Sequence, residues 1–168
     1  MMIIQDLMTS DGYVSTITGN FIIGNGRQIM NLKPPSELSE HLALMKWASL
    51  KKIILVHCPN EGPKSARYGA ILKKMGVSKG FPDLSLYEAR GGYFGLFIEL
   101  KAERKYSPSE KLTGTWIAQE EWLARLASDG YLALMCFGWV EASRVVEKYI
   151  SWDRTESSLA TSFFPDVS

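Results

Sequence analysis

The sequence is short of the side chains that most often carry chemistry. Its 168 residues include two cysteines and two histidines. Cys58 and Cys136 lie far apart and neither belongs to a CxxC pair, which argues against a disulfide framework or a zinc site. Two free thiols in a reducing cytoplasm are the expectation. Having only His41 and His57 speaks against a histidine metal cage or a hydrolytic triad, and His57, at a strand end before Cys58, reads as structural. There is no GxSxG elbow, no P-loop and no dinucleotide fingerprint, so no small-molecule cofactor is expected. No apolar run is long enough to span a bilayer. The N-terminal MMIIQDLMTSDG has no basic stretch followed by a long apolar one, so neither a signal peptide nor a membrane partner is expected. Internal repeats are absent.

What is present is ordinary in bulk and uneven in detail. With 46% hydrophobic and 22% charged residues, the chain reads as a soluble globular protein, most simply one domain able to bury a core. The formal net charge of +1 gives the whole molecule little pull toward polyanions. Yet from Gly62 to Pro82 the chain carries Lys64, Arg67, Lys73, Lys74 and Lys79 and no acid. A second basic group, Lys101, Arg104, Lys105 and Lys111, follows. Such patches suit a phosphate backbone, although for either alone a solvated lysine face is the commoner explanation.

Local patterns divide the chain into an N-terminal arm (1–34) of short strands, a main body (35–150) and a serine-rich tail (151–168). Ser36 predicts the start of a helix with Glu37 and Glu40 in its first turn, where the dipole favours acids. Leu38, Leu42, Met45 and Leu50 form its expected buried stripe, with Trp47 on the flank. KKIILVHCPN (51–60) reads as a buried strand and SARYGAILKKMG (65–76) as a short helix stopped by Gly76. Residues 83–101 read as a hairpin around Arg90-Gly91-Gly92, followed by a polar loop. TWIAQEEWLARLASDG (115–130) reads as an amphipathic helix, YLALMCFG (131–138) as an apolar strand and VEASRVVEKYI (140–150) as a closing helix. A hairpin plus a strand returning after a helix predicts a mixed sheet with helices on its faces, an α/β sandwich.

The charged end of the hairpin is where this apolar pattern breaks. Alternate strand residues share a face, so Glu99 and Lys101 stand side by side with Phe97 and Gly95, while Leu96, Ile98 and Leu100 point the other way. If Arg90-Gly91-Gly92 is a three-residue loop, Asp83 pairs with Glu99 on that face. A two-residue Gly91-Gly92 loop instead pairs Asp83 with Leu100 and turns it away. In the first register two carboxylates and an ammonium converge, a set that suits a hard divalent cation and phosphodiester hydrolysis. The triplet alone is as readily a salt-bridged strand end; the hairpin is what makes a site an equal alternative.

Pro82-Asp83 leading through an apolar strand into Glu99-Leu100-Lys101 resembles the signature of the PD-(D/E)XK nucleases. The longer pattern resembles the VRR-NUC family. It runs from Pro35-Ser36-Glu37 and Trp47 through Cys58-Pro59-Asn60-Glu61-Gly62, Arg67 and Lys73-Lys74-Met75-Gly76-Val77. It continues through Gly80-Phe81-Pro82-Asp83 and Leu96 to Lys101, then Gln119, Gly130-Tyr131 and Glu141-Ala142. The resemblance implies a restriction-endonuclease-like αβββαβ core and cleavage of DNA with Mg²⁺ or Mn²⁺. It implies a homodimer acting on branched DNA such as four-way junctions or flaps, inside a bacterial or phage-infected cell. Carried over by position, Asp83, Glu99 and the Leu100 carbonyl hold metal, Lys101 activates water, and Gln119 and Glu37 complete the site. His41 stands where the family often has glutamine, Asn60-Glu61-Gly62-Pro63 stands where a glycine pair is usual, and Glu40 is the alternative to Glu37. Lys64, Arg67, Lys73, Lys74 and Lys79 are the candidates for holding DNA. A non-catalytic DNA-structure-binding module, or a nuclease subunit of a larger complex, is the alternative function.

Overall fold

The hydroxyl of Ser36 accepts the Ser39 amide and opens helix α1 (Glu37–Leu50) in the computed structural model, which describes residues 34–59 and 65–154. The helix ends on a lysine in the left-handed conformation, Lys52 at φ 59°. There the amides of Lys52 and Ile53 return to the carbonyls of Ser49 and Ala48, the paired bonds of a Schellman cap. This cap consumes the start of the expected strand 51–60, and β1 is only Val56–His57. Helix α2 (Ala66–Lys74) follows, then β2 (Leu84–Leu86), β3 (Leu96–Lys101), a short α3 (Pro108–Lys111), α4 (Gly114–Ser128), β4 (Leu132–Phe137) and α5 (Trp139–Ile150).

The four strands form one sheet in the order β1-β2-β3-β4, antiparallel for the first two pairings and parallel between β3 and β4. The crossover between β3 and β4 runs through α4. This is the mixed α/β architecture that the sequence predicts, with α2 inserted between the first two strands. On one face Leu84, Leu86, Leu96, Ile98 and Leu100 pack with Leu44 and Ala48 of α1 and with Ala142, Val146 and Tyr149 of α5. On the other face Phe97 meets Phe81 and Tyr131, and Phe81 meets Trp122 of α4. Among the described residues no helix is long and apolar enough to cross a membrane.

Three expectations are corrected by packing. The buried residues of α1 are Glu40, Leu44 and Ala48, whereas Leu38, Leu42 and Leu50 are exposed. Apolar residues are spread around α1, so their spacing did not single out the face that α5 and β3 cover. Glu40 is buried because α5 starts at Gly138 without a side-chain cap, and Glu40 accepts the orphan Trp139 amide at 2.8 Å. The polar loop after β3 contains α3, announced by Ser107-Pro108-Ser109-Glu110, whose Ser107 and Glu110 form a reciprocal capping box.

The hairpin turn is the third correction. Gly91 and Gly92 both have positive φ, 56° and 87°, and Arg90 and Tyr93 exchange hydrogen bonds across them. This is a two-residue turn of the mirror-image kind, not the three-residue loop. Even so, β2 pairs Leu84 with Ile98 and Leu86 with Leu96, and continuing by one residue sets Asp83 opposite Glu99. Parity is restored between turn and ladder, where residues 87–89 on one arm face only Phe94 and Gly95 on the other. The extra residue acts as a bulge and flips the faces once more. Gly95 permits it, since a Cβ there would lie 2.9 Å from the Leu86 carbonyl oxygen. The arms are pinned from outside the sheet: the Tyr149 hydroxyl donates to the Glu88 carbonyl and the Gly91 amide to that of Asp153.

The arm 1–34 lies outside the described residues except for Pro34, as do segment 60–64 and the tail beyond Arg154.

Candidate active site

The α4 face of β3 carries charge where the other face carries aliphatic side chains. Glu99 is 1% exposed and Lys101 7%, so both ionisable groups sit inside the protein. Strand alternation puts them on one face, and the parallel pairing to β4, which runs from Leu96 to Lys101, holds both in the sheet. Burying a charge is costly unless it is paired, and here the pairing is specific. Lys101 Nζ donates to Glu99 Oε1 at 2.9 Å, and Gln119 Nε2 donates to the same oxygen. Gln119 reaches it from the buried stripe of α4, between Trp116 and Leu123. Lys101 Nζ also lies 3.9 Å from Glu37 Oε1 and 5.7 Å above the Trp116 ring.

Asp83 closes the group from β2. Its Oδ2 accepts the Leu100 amide at 3.0 Å, which fixes the carboxylate at the junction of the two strands. Its backbone carbonyl accepts from Cys58 N–H at 2.8 Å and lies 3.1 Å from His57 Nδ1, tying β1 to the same point. Burial first, and the neighbouring Asp83 charge second, push the Glu99 carboxyl up to about 7, against the opposing pull of Lys101. The other Glu99 oxygen, Oε2, is buried with no protein partner. An orphaned carboxylate oxygen beside a second carboxylate is a pairing left incomplete by protein alone, and it fits a hard cation. Among the described residues no group of three or more His, Cys, Asp and Glu side chains is arranged to hold a metal. Asp83, Glu99 and a backbone carbonyl such as that of Leu100 are the ligands on offer.

Two hollows open on this centre. A small one is walled by Glu37, Lys101, Tyr106, Thr113, Trp116 and Gln119. A groove of about 930 Å³ runs from Asp83 and Gln119 past His57 and Phe81 to Lys73 and Lys79. The structure thus brings together Asp83, Glu99, Lys101, Gln119 and Glu37, and sets Lys73 and Lys79 along the approach. Arg67 and Lys74 are exposed on α2 away from the groove lining, and Lys64 lies outside the described residues. Glu40 spends an oxygen on the Trp139 amide of α5. Sequence reasoning did not assign a role to Tyr106 or Thr113, which wall the small hollow. The capping box at Ser107 was the signal that an ordered turn, and hence a wall, stood there.

The VRR-NUC domain model matches residues 27–140, more than half of the chain. The chain belongs to the VRR-NUC family. A solved structure described as a VRR_NUC domain protein is similar to it at 28% sequence identity with a TM-score of 0.58. That likeness covers 74% of this chain and 95% of the other. No curated protein matches the chain. VRR-NUC is a nuclease-type family, so DNA is the substrate class it implies. Within this VRR-NUC domain the residues just described, from Glu37 to Gln119, all fall inside the matched span.

Proposed function

We propose that this VRR-NUC domain is a divalent-metal-dependent deoxyribonuclease that cuts branched DNA, such as four-way junctions or flaps, as a homodimer in the cytoplasm. The observation that carries the metal-dependent reading is the buried Glu99 carboxylate, with Lys101 and Gln119 on one oxygen and none on the other. Asp83, Glu99 and the Leu100 carbonyl would hold Mg²⁺ or Mn²⁺, with Glu37 reaching the same space from α1. When bound, such an ion stabilises charge on the phosphate and acidifies water.

The residues of the chain divide the remaining work. Lys101, held between Glu99 and Glu37, presents an ammonium that orients the attacking water or a phosphate oxygen, and its burial strengthens that interaction. Gln119 fixes the Glu99 carboxylate through its amide nitrogen. Lys73 and Lys79, along the groove, neutralise the DNA backbone without reading sequence. Selectivity then rests on DNA shape, and two sites in a symmetric dimer would meet two arms of a junction.

Incubating the protein with labelled four-way, flap and linear DNA, with Mn²⁺ and with chelator, tests the reading. Cutting that needs the metal and falls about 100-fold or more in Asp83→Ala and Lys101→Ala is expected. Equal cleavage by either variant means the site is misassigned. Binding without cutting in any divalent metal makes this a non-catalytic DNA-binding module.

A further inference from the structure

Among the described residues no other helix or strand comes close to the backbone of helix α2, and none of its residues belongs to the buried core. It is nevertheless amphipathic. At 100° per residue, Gly69, Leu72, Lys73 and Gly76 share the side that lines the groove. Turning past Leu72 brings Tyr68, Ile71 and the cap residue Met75 onto one adjoining stripe. These three are 53%, 45% and 74% exposed. A helix of this kind normally buries such a stripe, and an exposed apolar stripe with a polar rim marks an interaction surface.

The surroundings identify the partner. From Gly62 to Pro82 the sequence has no acid; at 100° per residue Arg67 and Lys74 border the stripe on its far side, and Lys73 and Lys79 line the groove. A surface that combines cations with a tyrosine, an isoleucine and a methionine matches polyanionic backbone around exposed base faces. The groove beside it leads directly to Asp83 and Gln119.

We infer that the Tyr68–Ile71–Met75 stripe of α2 is a wedge that stacks against unpaired or unstacked bases of the DNA substrate, next to the phosphates led toward Asp83. The inference rests on DNA being the substrate and names the feature of it that is recognised. Fully paired DNA offers α2 only its backbone, which the lysines hold without using the stripe. A branch point or single-stranded gap offers base faces as well, so the stripe adds affinity for these forms alone.

Binding in chelator, with no cleavage, tests it. The probes are a plain duplex and a four-way junction with 2-aminopurine at the branch, whose fluorescence rises when it unstacks. The parent should prefer the junction and brighten it. The triple variant Tyr68→Ala, Ile71→Ser, Met75→Ser should lose the brightening and about tenfold of the preference, with duplex affinity kept. Tyr68→Phe, which keeps the ring, should behave as the parent. Lys73→Ala should weaken both DNAs alike. Unchanged preference and brightening in the triple variant overturn the inference. So does a triple variant that sediments as a smaller species than the parent, because the stripe then belongs to a second copy of the chain. If the contrast persists in chelator while no DNA is cut in Mn²⁺, the wedge stands and the catalytic proposal falls.

Discussion

The two faces of β3 are built from alternate residues of one hexapeptide, and they obey opposite rules. Leu96, Ile98 and Leu100 meet α1 and α5 in an aliphatic core that needs only volume and contact. Phe97 meets Phe81 and Tyr131, while Glu99 and Lys101 meet α4, where Lys101 Nζ and Gln119 Nε2 both converge on Glu99 Oε1. The core face is tolerant because burial of apolar area is non-directional. The charged face is exacting because a buried ion without its partner loses several kcal/mol, of order what a whole domain can spare. One strand therefore supplies both scaffold and site, and parity alone keeps them separate.

The most drastic way to break this contrast is to remove one residue from 87–89 while leaving the Gly91-Gly92 turn intact. With the turn and β3 unchanged, Leu84 and Leu86 would move to the α4 face and Ser85 into the aliphatic core. Loss of the cooperative thermal transition is expected. A variant that melts like the parent would show that the register is set elsewhere. Next in size, Ile98→Ala should cost about 2–5 kcal/mol in urea unfolding, as large-to-small core changes do. The cleavage rate per folded molecule should hold, since the side chain points away from Asp83. A large loss of rate with little loss of stability would mean that the two faces are coupled.

The charged face gives a pH-dependent test. The Glu99 carboxyl, normally near 4.5, titrates at about 7 in the folded protein because burial and Asp83 disfavour its charge. The folded state therefore keeps a proton that the unfolded chain releases. This contribution to stability is full below about pH 4.5 and is lost as pH rises through about 7, a change of about 3 kcal/mol. Glu99→Gln should flatten the dependence of the metal-free melting temperature on pH. If metal fills the site, Mg²⁺ should raise the parent's melting temperature at about pH 8 and leave the variant's unchanged. A parent whose stability does not fall over this range would remove the argument that Glu99 is held protonated. The smallest effect is expected at Leu38→Ser, on the exposed side of α1, within about 0.5 kcal/mol in the same unfolding measurement. A larger loss would show that this leucine is covered.

Much of the site was legible before the fold was known. Pro82-Asp83 and Glu99-Leu100-Lys101, joined by an apolar strand, state the residue types, and period-two alternation, which is local, puts Glu99 and Lys101 on one side of the sheet. The placement of Gln119 on the inward stripe of α4 follows from helical spacing around Trp116 and Leu123. Other features depended on partners distant in sequence. Glu40 looked like a spare first-turn acid, and only the arrival of α5, 99 residues later, makes it a cap. The leucines of α1 matched a stripe, yet burial is decided by where α5 and β3 lie.

The turn shows the boundary most clearly. The sequence by itself determined that Gly91-Gly92 reverses the chain and that Glu99 and Lys101 share a face, since both follow from backbone sterics and alternation. Whether Asp83 joined them was decided by the tertiary structure. Residues 87–89 take up one extra position, with the Tyr149 hydroxyl of α5 on the Glu88 carbonyl and close backbone approach at Gly95. Local rules count residues along one chain segment, but a bulge is held by its neighbours. The second carboxylate reaches the site through packing.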